Sequence, residues 1–186
     1  MTTINDVVNC KLCEDRLEPN PVFQIHADAK VLVMGQAPGL KVHQTKLPFN
    51  DASGDRLREW MGIDRSVFYS KQVAILPMAL CYPGKGKSGD NPPPAICAKT
   101  HHTSLLSYMP NIELTLLIGA YAQKYYCIDN YKNLSERVLH FEEFLPKYFV
   151  LPHPSPRNNI WLKKNAWFEE QAVPVLQDLV SSLLKK

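Results

Sequence analysis

The chain predicts an α/β fold, a three-layer α/β/α sandwich around a central, mainly parallel four-stranded sheet. Three observations predict it. Four short apolar runs, Lys30–Met34, Val73–Met78, Leu114–Ile118 and Tyr148–Leu151, read as strands buried on both faces. Helical patterns lie between them, the alternation that builds a parallel sheet with crossover helices. Two of the runs end in punctuated polar turns, Gly35-Gln36-Ala37-Pro38-Gly39 and His153-Pro154-Ser155-Pro156-Arg157-Asn158. The carboxyl ends of strands are where an open α/β sheet places its ligand, so these turns mark a site.

Each element has its own signature. The first strand runs through Val31-Leu32-Val33-Met34 into Gly35. A helix over Gly54–Met61 carries Leu57, Trp60 and Met61 at helical spacing, and a second over Pro94–Tyr108 carries Ile96, Leu105 and Leu106 before Pro110 ends it. The helix Gly119–Cys127 opens on a Gly-Ala pair suited to close helix–sheet packing. After Leu151, Pro152 and Pro154 forbid continuation of the strand and fix a rigid turn that presents the His153 imidazole. The last helix, Trp161–Leu184, is expected to be interrupted or bent by Pro174.

The 186 residues fit a single domain, 1–186, with no internal repeat and no linker. A net charge of +3 permits an acidic partner without demanding one. No run is long and apolar enough to span a bilayer, and the first residues lack the charged and apolar regions of a signal peptide. The expected compartment is the cytoplasm. There, five cysteines point to metal or free thiols rather than disulfides. Cys10 and Cys13 form a C-x-x-C pair, Cys81 follows the second strand, and Cys97 lies sixteen residues further on. Four thiolates hold either a tetrahedral zinc or a 4Fe–4S cluster; the plainer alternative is four independent buried cysteines. Cys127, on a packing helix, reads as a core residue.

The C-x-x-C pair, the G-Q-A-P-G turn, the segment Pro48-Phe49-Asn50-Asp51-Ala52-Ser53-Gly54, the second cysteine pair and H-P-S-P-R-N occur in this order along nearly the whole chain. In this combination the chain resembles the uracil-DNA glycosylase superfamily, and most closely its four-cysteine bacterial and archaeal members, families 4 and 5. The resemblance implies a 4Fe–4S cluster on Cys10, Cys13, Cys81 and Cys97, structural rather than redox-active towards the base, with Zn2+ as the alternative. It also implies a DNA repair glycosylase that hydrolyses the N-glycosidic bond of uracil or another deaminated base and leaves an abasic site. The implied partner is DNA containing deaminated or damaged bases, engaged by a monomer away from any membrane.

Such chemistry needs a flat surface for the flipped base, a donor for the charge developing on it, and a water near the sugar carbon. Phe49 matches the stacking position of the relatives, and Gly35, Ala37 and Pro38 would complete the base pocket. His153 matches the histidine that hydrogen-bonds the leaving base. Ser155 and the neighbouring amides would position phosphates, with Pro156 and Arg157 as a wedge or phosphate contact and Asn158 bracing the loop. Some relatives carry an acid in the first turn, where Gln36 and Ala37 stand here. Gln36 can only orient water or bond the base through its amide. Asp51 is the nearest carboxylate, and matches the aspartate that family 5 is proposed to use; as the residue before Ala-Ser-Gly it is equally a helix N-cap. Where several relatives read uracil with an asparagine after the second strand, this chain has Ile75-Leu76-Pro77-Met78, which opens the substrate range beyond uracil.

Other features have plainer readings. Gly84-Lys85-Gly86-Lys87-Ser88 lacks a Walker frame, and Lys85 and Lys87 are expected in a basic, DNA-facing loop. His101 and His102 are expected on the exposed side of their helix, His43 at the surface near phosphate, Asp55 as a solvated first-turn acid, and Lys185-Lys186 as a solvated end. Two rivals to the glycosylase remain: a binder of modified or abasic nucleotides that does not cleave them, and a zinc-bound module acting on free nucleotides.

Overall fold

The computed structural model describes residues 3–184; the Lys185-Lys186 tail lies outside them. A short helix α1 (Ile4–Val8) precedes strand β1 (Val31–Met34), helices α2 (Leu40–Thr45), α3 (Ala52–Met61) and α4 (Arg65–Phe68), and strand β2 (Val73–Ile75). A small hairpin, β3 (Lys85–Gly86) and β4 (Gly89–Asp90), leads to α5 (Ala95–Ser107), β5 (Leu114–Ile118), α6 (Gly119–Tyr126) and α7 (Leu134–Leu139). Strand β6 (Tyr148–Leu151) and helices α8 (Asn159–Lys164) and α9 (Val173–Leu184) complete the described chain.

The central sheet has the order β2-β1-β5-β6 with every pair parallel, as the apolar runs predict. Strands β1, β2 and β5 are buried along their whole length, which requires helices on both faces. The chain reverses its direction of travel across the sheet between β1 and β5. That is a topological switch point, and crevices form outside the carboxyl ends of strands there.

Differences from the expected boundaries have local causes. Strand β2 stops at Ile75 rather than Met78, because Pro77 has no N–H to give the ladder. Leu76 and Met78 still donate to Val33 O and Gly35 O, at 2.9 Å each, so this segment lies under the first turn. The last helix is not one bent rod. It breaks at Asn165, passes through a π turn at Phe168–Ala172 and resumes as α9, with Pro174 at its second position. The wider turn just before Pro174 accommodates a ring that would otherwise press on the carbonyl four residues back.

Helix α3 is anchored on α9. Trp60 and Phe168 meet edge-on with centroids 5.0 Å apart, the Trp60 indole N–H donates to Glu169 Oε1 at 3.0 Å, and the Gln177 amide donates to Glu59 O at 2.9 Å. Its other end points into the crevice.

The cleft at the strand ends and the cysteine cavity

A cleft of about 500 Å³ opens at the carboxyl ends of the strands, lined from one side by Gly35, Gln36, Ala37 and Pro38 and from the other by His153, Ser155, Arg157 and Asn158. Phe49, Asp51 and Ser53 form a third wall, and Ser88, Gly89 and Asp90 of the hairpin a fourth. The two turns singled out in the sequence therefore face one space. Lys85 and Lys87 lie exposed on the hairpin beside this wall and do not line the cleft itself.

The His153 loop is held by five groups. Backbone N–H of Ser155 donates to His153 Nδ1 at 3.2 Å. In the neutral ring this assigns the proton to Nε2 and makes that atom a donor. Burial pushes the His153 pKa down, opposed by the negative charge of Asp51, so the ring is neutral at neutral pH. The Asn158 amide braces the loop by donating to His153 O at 2.7 Å. Arg56 reaches Pro154 O and Ser155 O at 3.4 Å each. Beneath, the buried Gln123 amide ties the ends of two strands together, donating to Leu117 O at 3.1 Å and Leu151 O at 2.8 Å. Gly119 adopts φ +77° directly under the ring, a conformation that favours glycine. The Ser155 N–H is thus turned inward onto His153, and its Oγ accepts the Arg157 N–H at 3.3 Å. Of the phosphate donors expected at Ser155, only the hydroxyl is left to face outward.

Phe49 has φ +53°, a left-handed conformation uncommon for a bulky residue. Its ring tip rests against Gly35, where an added Cβ would stand 3.2 Å from Cζ. The Phe49 carbonyl enters α3 at Gly54, where a Cβ would fall 1.7 Å from the oxygen. Asp51 is the α3 N-cap, accepting the Gly54 N–H at 2.9 Å through Oδ1, and it also lines the cleft. Asp55 is exposed but paired with Arg58. Gln36 donates its amide to Asn91 O at 3.4 Å, so it links the first turn to the hairpin. The Arg157 guanidinium lies against the same hairpin, 3.5 Å from Ser88 O.

A second, small apolar cavity of about 20 Å³ gathers Cys10, Cys13, Cys81 and Cys97, together with His101. None of the five cysteines is in a disulfide, and burial raises the pKa of Cys13, Cys81 and Cys97, the last to about 12. Backbone N–H groups of Asn20 and Leu80 approach Cys81 Sγ and Cys97 Sγ at 3.4 Å each. Such N–H···S contacts suit thiolates, whose charge a bound metal or cluster would offset in so apolar a setting. Among the described residues no group of three or more His, Cys, Asp or Glu side chains is arranged to hold a single metal ion. Cys127 caps α6, half-buried, and its thiol is likewise pushed up to about 11 by burial.

Three expectations are corrected. His101 and His102 are buried at 3% and 2% exposure rather than on the open side of α5, while Ile96 is 44% exposed. Positions 98, 101, 102 and 105 form the buried stripe at i, i+3, i+4 and i+7, and a reading by position rather than polarity would have found it. His101 Nε2 lies 3.3 Å from Cys10 Sγ; His102 bridges the Tyr126 hydroxyl at 2.6 Å and Pro77 O at 3.0 Å. His43 is no surface group either. Its side chain is 14% exposed, with Nε2 3.3 Å from Glu18 Oε2 and its carbonyl accepting from the Asn20 amide at 2.7 Å. Asn20 thereby joins α2, which continues from the first turn, to Cys81.

Residues 22–177 match the model of the uracil DNA glycosylase superfamily. In overall shape the chain is similar to a uracil DNA glycosylase candidate from Methanosarcina acetivorans solved by solution NMR. The two superpose with a TM-score of 0.52 at 14% identity, over 86% of this chain and 98% of that one.

Proposed function

Since the chain belongs to the uracil DNA glycosylase superfamily, we propose that it is a monofunctional DNA glycosylase releasing uracil or another deaminated base and leaving an abasic site. The observation that carries this reading is the convergence of Phe49, Asp51 and the Nε2–H of a neutral His153 on one cleft. The flipped base would stack on Phe49, between the Gly35 turn and the His153 loop. As the glycosidic bond breaks, negative charge grows on the base, and Nε2–H lies ready to donate to it. A preorganised donor of this kind lowers a barrier by about 3 kcal/mol.

Asp51 offers one oxygen to the Gly54 N–H, and the other remains for the reaction. Its negative charge supports the oxocarbenium-like sugar and orients the attacking water, so capping and chemistry are compatible. Gln36, tied to Asn91 O, serves as a wall of the pocket and a link to the hairpin rather than as a base. Pro77 lines the cleft where an asparagine would read uracil, and its carbonyl is taken by His102. The substrate range accordingly extends to other deaminated bases. Arg157 and the exposed Lys85 and Lys87 supply the positive rim for the phosphates.

Within the superfamily, the four cysteines on one cavity support a place among the four-cysteine members of families 4 and 5. Cys10, Cys13, Cys81 and Cys97 would hold a 4Fe–4S cluster, which when bound supplies a structural cross-link. The chain's own residues carry that link to the cleft: Asn20 connects Cys81 to α2, and Ala79 N–H bonds Gln36 O at 3.0 Å. Zn2+ is the alternative occupant of the same four thiolates.

Base release from oligonucleotides carrying uracil, hypoxanthine or xanthine tests the proposal, with wild type beside His153→Ala and Asp51→Asn. Release that collapses in both variants is the expected result. Selective binding of damaged DNA without release by wild type would instead identify a sensor on the same fold.

A further inference from the structure

Beneath the aromatic wall of the cleft sits a buried arginine with no part in the chemistry above. We propose that Arg58 is the positioning residue of the Phe49 platform, holding it in its left-handed conformation before any base arrives. This rests on the reading of Phe49 as the stacking surface. The side chain of Arg58 is 8% exposed. Nη1 donates to Phe49 O at 3.4 Å, while Nη2 pairs with Asp55. The guanidinium also lies over the Phe68 ring, 5.3 Å from its centroid. Phe68 in turn meets the Phe49 ring edge-on, with centroids 6.2 Å apart. One side chain therefore holds the Phe49 backbone directly and its ring through a single intermediary.

The neighbours have anchors of their own, although the Tyr69 hydroxyl also lies within reach of Arg58. Tyr69 donates its hydroxyl to Pro48 O at 2.7 Å, and Arg65 donates to Asn50 Oδ1 at 2.8 Å. Phe49 is the one of the three with positive φ, and its restraint is the one made by a buried cation. A bulky residue persists in that region only where its surroundings over-determine it. Arginine suits the task because its planar fork donates in two directions while its face covers a ring; a lysine ammonium cannot do all three. Exposed Asp55 keeps the guanidinium paired from the solvent side, so replacing Arg58 leaves no buried charge uncompensated.

A double-mutant cycle on the full chain decides the matter, using Phe49→Ala, Arg58→Met and the pair. The readouts are the single-turnover rate of base release and the affinity for a duplex with an abasic site, which has no base to stack. Each single variant is expected to slow release by about ten-fold or more. The pair should be no slower than Phe49→Ala alone, and abasic-site affinity should stay at the wild-type value. Independent, multiplying losses would overturn the inference, as would an equal loss of abasic-site binding, the mark of general destabilisation. If Arg58→Met does not fold, Arg58→Lys, which keeps the buried charge, carries the same cycle. A wild type that releases no base from any deaminated substrate overturns the glycosylase reading and this inference together. An active wild type with an additive cycle overturns the inference alone.

Discussion

The Asp51 carboxylate and the His153 imidazole sense each other across the cleft: the negative charge raises the affinity of the ring for a proton, while burial lowers it by more. A net downward shift keeps the working, neutral ring populated below the ordinary histidine pKa. Base release should therefore hold steady through neutrality and fall only below about pH 6.5. Asp51→Asn removes the opposing charge, so the acid limb of its residual activity should move to still lower pH. Single-turnover rates against pH check this, and a limb that moves upward in the variant would contradict the pairing.

Gly54→Ala should be far more damaging than a helical Gly→Ala change normally is. Alanine is favoured in a helix by up to ~1 kcal/mol, yet here its Cβ would fall 1.7 Å from the Phe49 carbonyl oxygen. The loop must move, at a cost of about 1–3 kcal/mol typical of overpacking. Urea denaturation should show the loss, accompanied by loss of base release. A stabilised, active variant would mean the carbonyl does not dock there.

His102 should make stability fall in mild acid. Burial lowers its pKa to about 4, whereas in the unfolded chain it titrates near 6.5. Between those values the unfolded state binds more protons than the folded one, so stability rises with pH across this window. The contribution is complete above about pH 6.5, is lost progressively as pH falls to 4, and amounts to a few kcal/mol. In His102→Phe the difference in unfolding free energy between pH 7 and pH 4.5 should shrink by most of that amount.

Anaerobically purified protein is expected to be brown and to hold four iron and four sulfide per chain, with Cys97→Ser and Cys13→Ser both losing colour and thermal stability. Colourless protein with one zinc per chain would overturn the cluster assignment while leaving the cleft chemistry untouched.

The sheet and both turns were legible in the sequence because their signals are local. Apolar runs broken by proline and glycine need no knowledge of distant residues, and parallel pairing follows from the alternation with helices, whereas the strand order does not. The polar residues that arrange the site were not legible in the same way. Arg56, Arg58 and Gln123 act on carbonyls 6 to 99 residues away, and nothing in their neighbourhoods marks such contacts. The burial of His101 and His102 is hidden from a reading by polarity, because paired imidazoles read as solvated, although their spacing with Ala98 and Leu105 lies on a helical stripe. The interruption that Pro174 announces is present, but it begins earlier than the proline, at Asn165, and includes a π turn.

Helix α3 carries the cap Asp51, receives the Phe49 carbonyl at Gly54, and sends Arg56 to the His153 loop, all within its first two turns. Its far end is fastened by Trp60 to the π turn that precedes α9. Acid, platform and donor loop thus take their coordinates from a single rod. A shift of that rod moves them as a set and preserves their mutual geometry, whereas a change within the rod disturbs several at once. Tuning for a new base is accordingly easier from the Gln36 and hairpin walls, which lie outside α3, and substitutions there can accumulate without misaligning the groups proposed to break the bond.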